Sequence, residues 1–308
     1  MTTQGRPVVC VSYLAAAELW SVPKFPAPNH GAEILTTEES IAADGPMTAA
    51  VLAALDVPTL LVANRIGNDD VGGRVGRWLQ QHHVPSTAVV STDVVTPKIV
   101  VVADGRDTRT WFAHLPGVTD ELSRCDLSPI GTASMVYLDA YQLVEAAAIR
   151  VVRAARDCGT ELLVNLGGSP LSDALCLELA GYRNLIIQTN VDDGSRSDVP
   201  AVTRQLLTET SARWVVVTAG AYGASAASRE RIVTTPAFRV QVHHTHCAGA
   251  AFSGGLLYGM RSGMPIERSL LLATASGALR CVRHHNAPLP TLLELESVIA
   301  SLARTSFN

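Results

Sequence analysis

His243-His244-Thr245-His246-Cys247-Ala248-Gly249-Ala250-Ala251-Phe252-Ser253-Gly254-Gly255 follows an alternating, Val-rich run, Phe238-Arg239-Val240-Gln241-Val242. It leads into a helix-like run from Ala250 to Met260 that is crowded with small residues. The first run reads as a strand. A strand, a short turn of small residues and a helix start together make an anion site. The first helical N–H groups lack intrahelical acceptors, and the helix dipole places partial positive charge there. Small side chains at Ala248, Gly249 and Ala250 let a phosphate approach the backbone. Cys247, Ala248 and Gly249 are therefore the expected anion hole.

Outward from this stretch the chain repeats strand and helix. Pro7-Val-Val-Cys-Val-Ser-Tyr-Leu14, Thr59-Leu-Leu-Val-Ala63, Met135-Val-Tyr-Leu138, Glu161-Leu-Leu-Val-Asn165, Asn184-Leu-Ile-Ile-Gln188 and Trp214-Val-Val-Val-Thr218 are short apolar runs without alternation. Such runs suit parallel strands buried on both faces. Helix-length segments at 144–158 and 171–180 separate three of them, which argues a parallel sheet covered by helices on both sides. Ligands of such sheets bind beyond the carboxyl ends of the strands. Asn165, Asn190, Thr218 and the 243–250 turn lie there. Asp44-Gly45-Pro46-Met47-Thr48 opens a further helix, with Pro early in its first turn. Asp44 and Thr48 either cap it or reach a ligand hydroxyl. Residues 97–103 and 108–114 alternate around Gly105-Arg106 as a hairpin does. Arg231 to Val233 and 237–242 read as a second pair of strands.

The blocks also resemble a known family. The 244–252 stretch resembles the ribokinase/PfkB signature D-T-x-G-A-G-D-x-F: Thr245, Ala248, Gly249 and Phe252 match. His244 stands at the first Asp, Cys247 at a Gly, and Ala250 at the catalytic Asp. Ile66-Gly67-Asn68-Asp69-Asp70-Val71-Gly72 resembles V-G-D-D-x-F-G, Thr218-Ala219-Gly220-Ala221-Tyr222-Gly223 resembles T-x-G-x-x-G, and Asn190-Val191-Asp192-Asp193 resembles N-x-x-E. Ala43 and Asp44 occupy the place of the family's glycine pair.

The resemblance runs over nearly the whole chain with its blocks in order. It implies a ribokinase-like three-layer α/β sandwich, with a mostly parallel central sheet and a small β lid. Residues 1–308 then form one domain, with the lid from about 15–42 and 95–114. It implies an ATP-dependent kinase of a small hydroxylated molecule, a sugar, cyclitol or nucleoside, using ATP and Mg²⁺. Thr218, Gly220, Gly223 and Asn286 would face the nucleotide, Asn286 being able to adopt the left-handed backbone that Gly would supply. Asn190 and Asp193 would hold Mg²⁺ through water. Ala17, Glu18, Asp44, Thr48 and Trp111 would face the substrate. A homodimer through the lid is a further implication.

Ala250 sets the difficulty. The family's base is a carboxylate, and a methyl group accepts no proton. Three readings follow: a kinase impaired at Ala250, a pseudo-kinase that binds or regulates, and an enzyme with His246 as substitute base.

Composition narrows the field. Of 308 residues, 47% are apolar and 17% charged, with a net charge of −4, which gives no basis for nucleic-acid binding. No run of about 18 apolar residues predicts a membrane span. The start of the sequence lacks the apolar region of a secretory signal. Six scattered cysteines without a C-x-x-C pair read as reduced thiols, hence a cytoplasmic protein. His243, His244, His246 and Cys247 offer metal-ligand types, but no partner pair with zinc spacing accompanies them.

Overall fold

A computed structural model of the chain describes residues 5–104 and 109–305. Val8–Val11 (β1) shows why the apolar runs form strands at the centre. Val8 and Cys10 point to one hydrophobic cluster, and Val9 and Val11 to another on the opposite face. All four are buried, each of the large aliphatic ones worth about 1.5–3 kcal/mol against exposure. Such a strand needs cover on both faces.

Ala15–Val22 (β2), Thr36–Ala42 (β3), the helix Asp44–Ala54 (α1), Thr59–Val62 (β4), Ile66–Gly67 (β5) and the helix Asp70–Gln81 (α2) follow. Next come Val90–Ser91 (β6), Lys98–Asp104 (β7), Arg109–His114 (β8), the short helix Val118–Leu122 (α3), Met135–Asp139 (β9) and the helix Glu145–Asp157 (α4). Leu162–Asn165 (β10), the helix Asp173–Leu179 (α5), Leu185–Asn190 (β11), the helix Val199–Glu209 (α6) and Trp214–Thr218 (β12) continue the alternation. Ala224–Ala227 (β13), Ile232–Thr235 (β14) and the helices Ala248–Arg261 (α7), Ile266–Val282 (α8) and Leu292–Thr305 (α9) end it.

Eight strands form the central sheet in the order β14-β13-β12-β11-β10-β9-β1-β4. The six from β4 to β12 are parallel, and β13 and β14 add antiparallel at one edge. Helices α1, α2, α7, α8 and α9 contribute to the cluster on one face, and α4, α5 and α6 to the other. This is the three-layer α/β arrangement, with a mostly parallel sheet. Strand order reverses between β1 and β9, because the chain leaves β1 for β4 on one side and reaches β9 on the other. The carboxyl ends of β1 and β9 therefore open the crevice where such folds bind ligands.

A second sheet, β3-β2-β7-β8, lies over that end. The pairs β2–β3 and β7–β8 are antiparallel, and β2–β7 is parallel. Residues 23–35 between β2 and β3 are not strand. The tip of the expected hairpin, 105–108, lies outside the described residues. The expected strand at 237–242 does not form. Phe238 and Val240 do pack inward while Arg239 and Gln241 face out, but among the described residues no neighbouring strand pairs with them. β14 pairs instead with β13. Among the described residues no helix is long and apolar enough to cross a membrane.

Candidate active site

The crevice between β1 and β9 holds a pair of carboxyl groups. Asp139 ends β9. Its Oδ2 accepts from Ser12 Oγ at 2.6 Å, directly after β1, and from Gly45 N at 2.9 Å. Its Oδ1 accepts from Tyr137 Oη at 2.7 Å and Asn165 Nδ2 at 3.3 Å. Gly45 is required by this closeness, since a Cβ there would lie 2.2 Å from Ser12 Cβ. Asp44 begins α1. Its Oδ2 accepts from Tyr141 Oη at 2.7 Å and from Asn165 Nδ2 at 2.9 Å. One amide nitrogen thus serves both carboxyls. Asp139 is buried, whereas Asp44 is half-buried.

Burial pushes the Asp139 pKa up to about 6, the Asp44 charge adds to this, and the Ser12 and Tyr137 hydrogen bonds pull against it. Burial also raises Asp44, opposed by Tyr141, Asn165 and the charge of Arg109. Close carboxyls in a dry site do not ionise independently. The pair keeps a proton further into the neutral range than free carboxyls do.

The start of α7 lies alongside. Thr48 Oγ1 donates to the Ala250 carbonyl at 3.1 Å, and Val51 packs on Gly254. These contacts advance in the same direction along both helices, so α1 and α7 run parallel. Asp44, one turn before Thr48, sits beside the first turn of α7, and two helix N-termini open onto one place. Cys247 precedes α7 with φ 60° and ψ 21°, a left-handed backbone, and gives no side-chain cap. Ala248 N donates to Thr245 O at 3.3 Å, and among the described residues the Gly249 and Ala250 N–H groups have no backbone acceptor. The expected anion hole at Cys247, Ala248 and Gly249 is thus a helix start with free donors and, at Gly249, an open surface. Burial pushes the Cys247 thiol up to about 12, so it stays protonated.

The second sheet reaches this point through side chains. Arg109 of β8 donates to Thr245 O at 3.1 Å. His246 Nε2 donates to Ile41 O of β3 at 3.0 Å, so the ring's proton is on Nε2. Burial, then the charge of Arg280, depresses its pKa to about 3. His246 is therefore a neutral, weak base. His284 Nε2 lies 3.2 Å from Glu38 Oε2 of β3.

The other expected positions are placed as follows. Ala250 is buried in the α1–α7 core. Thr48 is fully buried, and its hydroxyl is engaged between helices rather than free in the cleft. Ala17 is buried beneath the second sheet, and Glu18 faces away from it, opposite Glu39 across the strand pair. Trp111 is 68% exposed on the outer strand β8. Thr218 and Asn190 are neighbours at the ends of β12 and β11. Gly220 and Gly223 both take positive φ, and a Cβ at Gly223 would lie 2.0 Å from Thr235 O. This turn borders a groove of about 940 Å³ between α6 and the β13–β14 hairpin. Asn286 is in a turn after α8, and its φ does not use the left-handed conformation open to it. The turn closes without the conformation that Gly would supply. The side chain of Asp193 lies outside what is described. Among the described residues no three His, Cys, Asp or Glu side chains converge as direct metal ligands. Sequence reading passed over Asp139, Ser12, Tyr137 and Tyr141. The available signal was polar residues at the carboxyl ends of β1 and β9.

The pattern of the pfkB family carbohydrate kinases matches residues 46–292. The chain belongs to that family. The 5-dehydro-2-deoxygluconokinase of Bacillus licheniformis is 26% identical over 273 residues, covering 77% of this chain and 84% of its own. The aminoimidazole riboside kinase of Salmonella typhimurium is 26% identical over 236 residues, 70% of this chain and 72% of its own. The Arabidopsis thaliana ribokinase complexed with ribose and ATP superposes with a TM-score of 0.75 at 18% identity, over 97% of this chain and 99% of that one. The last likeness shows the ribokinase-like fold. Within the pfkB family, then, this chain is a small-molecule kinase homologue.

Proposed function

We propose that the chain transfers the terminal phosphoryl group of ATP to a hydroxyl of a small polyhydroxylated molecule, with Asp44 accepting the hydroxyl proton. The observation that carries this is the Asp44–Asp139 pair beside the first turn of α7. A phosphate on the free donors of α7 and a hydroxyl on Asp44 would lie next to each other. The O–H proton passes to Asp44, the hydroxyl oxygen bonds the γ-phosphorus, and the bond to the β–γ bridging oxygen breaks, releasing ADP. Most of the catalysis in such a transfer is positioning and charge stabilisation. A base displaced from position 250 to position 44 is therefore a tolerable change.

The relatives support the substrate class: one acts on 5-dehydro-2-deoxygluconate, another on aminoimidazole riboside, and the superposed ribokinase holds ribose and ATP. The nucleotide would run from the Thr218–Gly223 turn and the 284–287 segment towards Gly249. The exposed amide oxygen of Asn190 is a hard donor of the kind Mg²⁺ takes, directly or through water, and Asp193 would join it. Bound there, Mg²⁺ would offset negative charge on the phosphate. The second sheet serves as the lid, held by Arg109, His246 and Glu38, and its outer strand β8 pairs two subunits.

A second reading, a pseudo-kinase that binds without turnover, is favoured by Ala250 itself. Incubation with ATP, Mg²⁺ and a panel of sugars, cyclitols and nucleosides, read by mass of the phosphorylated product, tests the first reading. Binding of a panel member with no product supports the second.

A further inference from the structure

Arg280 of α8 is only 1% exposed and heads the fully buried side chains by volume. Nη1 donates to His285 O at 3.1 Å. Nε and Nη2 are buried and find no hydrogen-bond partner among the described residues. The nearby groups that favour its charge are two thiols, Cys247 and Cys281, and no carboxylate. A guanidinium keeps its charge, and an unpaired buried charge is among the most unfavourable features a fold can carry.

Its position explains what it could serve. α8 crosses the start of α7 at Gly277, where a Cβ would lie 3.2 Å from Ala248 O. Arg280 is three residues further on, on the same face of α8. Its charge acts on Cys247, which precedes α7, and on His244 and His246 just before it. On the outer side of that first turn, Gly249 is open: nothing lies within 4 Å of a Cβ built there. The N–H groups of Gly249 and Ala250, without a backbone acceptor among the described residues, and the buried guanidinium thus bring positive potential to the same helix start from two independent sources.

We propose that Arg280 is the fixed counter-charge of a phosphate-binding site on the first turn of α7. The ligand class is a phosphate group, free or at the end of a nucleotide. In the unliganded chain the guanidinium is a liability, and bound phosphate offsets it. The inference rests on the anion hole used in the proposed phosphotransfer, but it needs no turnover.

The test is thermal unfolding of the full chain at constant ionic strength, with chloride replaced by inorganic phosphate, pyrophosphate, ADP or ATP. Wild type, Arg280→Met and Arg280→Lys are compared. Phosphate-containing ligands are expected to raise the wild-type Tm above the chloride control through linkage. Arg280→Met is expected to unfold at a higher temperature than wild type without ligand, and to bind phosphate at least about tenfold more weakly. Arg280→Lys keeps a charge and is expected to fall between the two. A shift with inorganic phosphate alone identifies the free ion as a sufficient ligand, and a shift only with nucleotides identifies their tail. The inference is overturned if none of the four ligands stabilises wild type, or if Arg280→Met leaves phosphate affinity unchanged. It is equally overturned if Arg280→Met lowers the unliganded Tm or fails to fold. Arg280-dependent phosphate binding without transfer activity upholds this inference while removing the proposed function. Transfer activity that survives Arg280→Met undiminished does the opposite.

Discussion

At Ala43 the backbone has φ 71° and ψ 159°, a region that is essentially restricted to glycine. Cys247 has φ 60° and ψ 21°, which is left-handed but milder. Both conformations suit glycine, yet neither residue is one. Strain at Ala43 is on the order of 1–3 kcal/mol, and glycine costs about 0.4–1 kcal/mol through the unfolded chain. Ala43→Gly is therefore expected to stabilise by about 1 kcal/mol in urea unfolding. A loss of stability would show that the turn is held differently. Cys247→Gly is expected to be nearly neutral, because relief of a left-handed backbone and loss of a buried thiol offset each other. The sequence led to the expectation that both positions correspond to glycines of the resembling motifs, but their backbone conformation was not legible in it. Nor was the carboxyl pair. Ser12 and Asp139 are 127 residues apart, and Asp44 and Asn165 are 121 apart, so no local spacing announces the cluster. Only the reversal of strand order between β1 and β9 brings them together.

Among the elements, α7 is held closest. Its Gly255 admits no Cβ, which would lie 2.8 Å from Leu272 O and 2.9 Å from Ala273 Cα of α8. Ala in place of Gly gains about 1 kcal/mol of helix propensity, while a backbone clash forces the helices apart. Gly255→Ala is thus expected to destabilise by about 1–3 kcal/mol net, read from the denaturation midpoint. An unchanged midpoint would mean that α7 and α8 are more loosely packed. The small residues that open α7 were legible as a surface a phosphate can approach, not as a packing surface against α8. The 237–242 segment was not legible as irregular, because its inward and outward alternation is real and only a partner strand is lacking.

The loops joining these elements set the acid response. His244, His246 and His285 have pKa values depressed to about 4, 3 and 3, by burial first. Their contribution is complete above the unfolded value of about 6.5 and is lost as pH falls towards 4, because only the unfolded chain takes up the protons. Asp139, raised to about 6, works the other way: its contribution is present below about pH 4 and is lost as pH rises through 6. Asp44 acts in the same direction as Asp139. His82, lowered by burial, adds to the histidine side and Glu161, raised by burial, to the carboxyl side, and the depressed histidines remain the more numerous. The Tm is therefore expected to fall between pH 7 and pH 5, and a Tm that rises over that range would contradict the buried, neutral histidine cluster.

For the molecule as a whole, the parallel sheet was readable because strands buried on both faces need continuous apolar runs. The outer strand β8 is exposed along all six residues, with Trp111 68% and Phe112 60% exposed. Light scattering is expected to give a dimer, and Trp111→Glu with Phe112→Lys a monomer. A wild-type monomer would leave β8 as a free edge. The central claim is that a family member lacking the carboxylate at position 250 uses Asp44 instead. The most direct measurement is initial phosphotransfer from ATP to the best substrate of the panel by wild type, Asp44→Asn and Ala250→Asp. The account predicts measurable transfer by wild type, a loss of at least about 10²-fold in Asp44→Asn, and little gain in Ala250→Asp. An inactive wild type that Ala250→Asp brings to life, or full activity in Asp44→Asn, would contradict it.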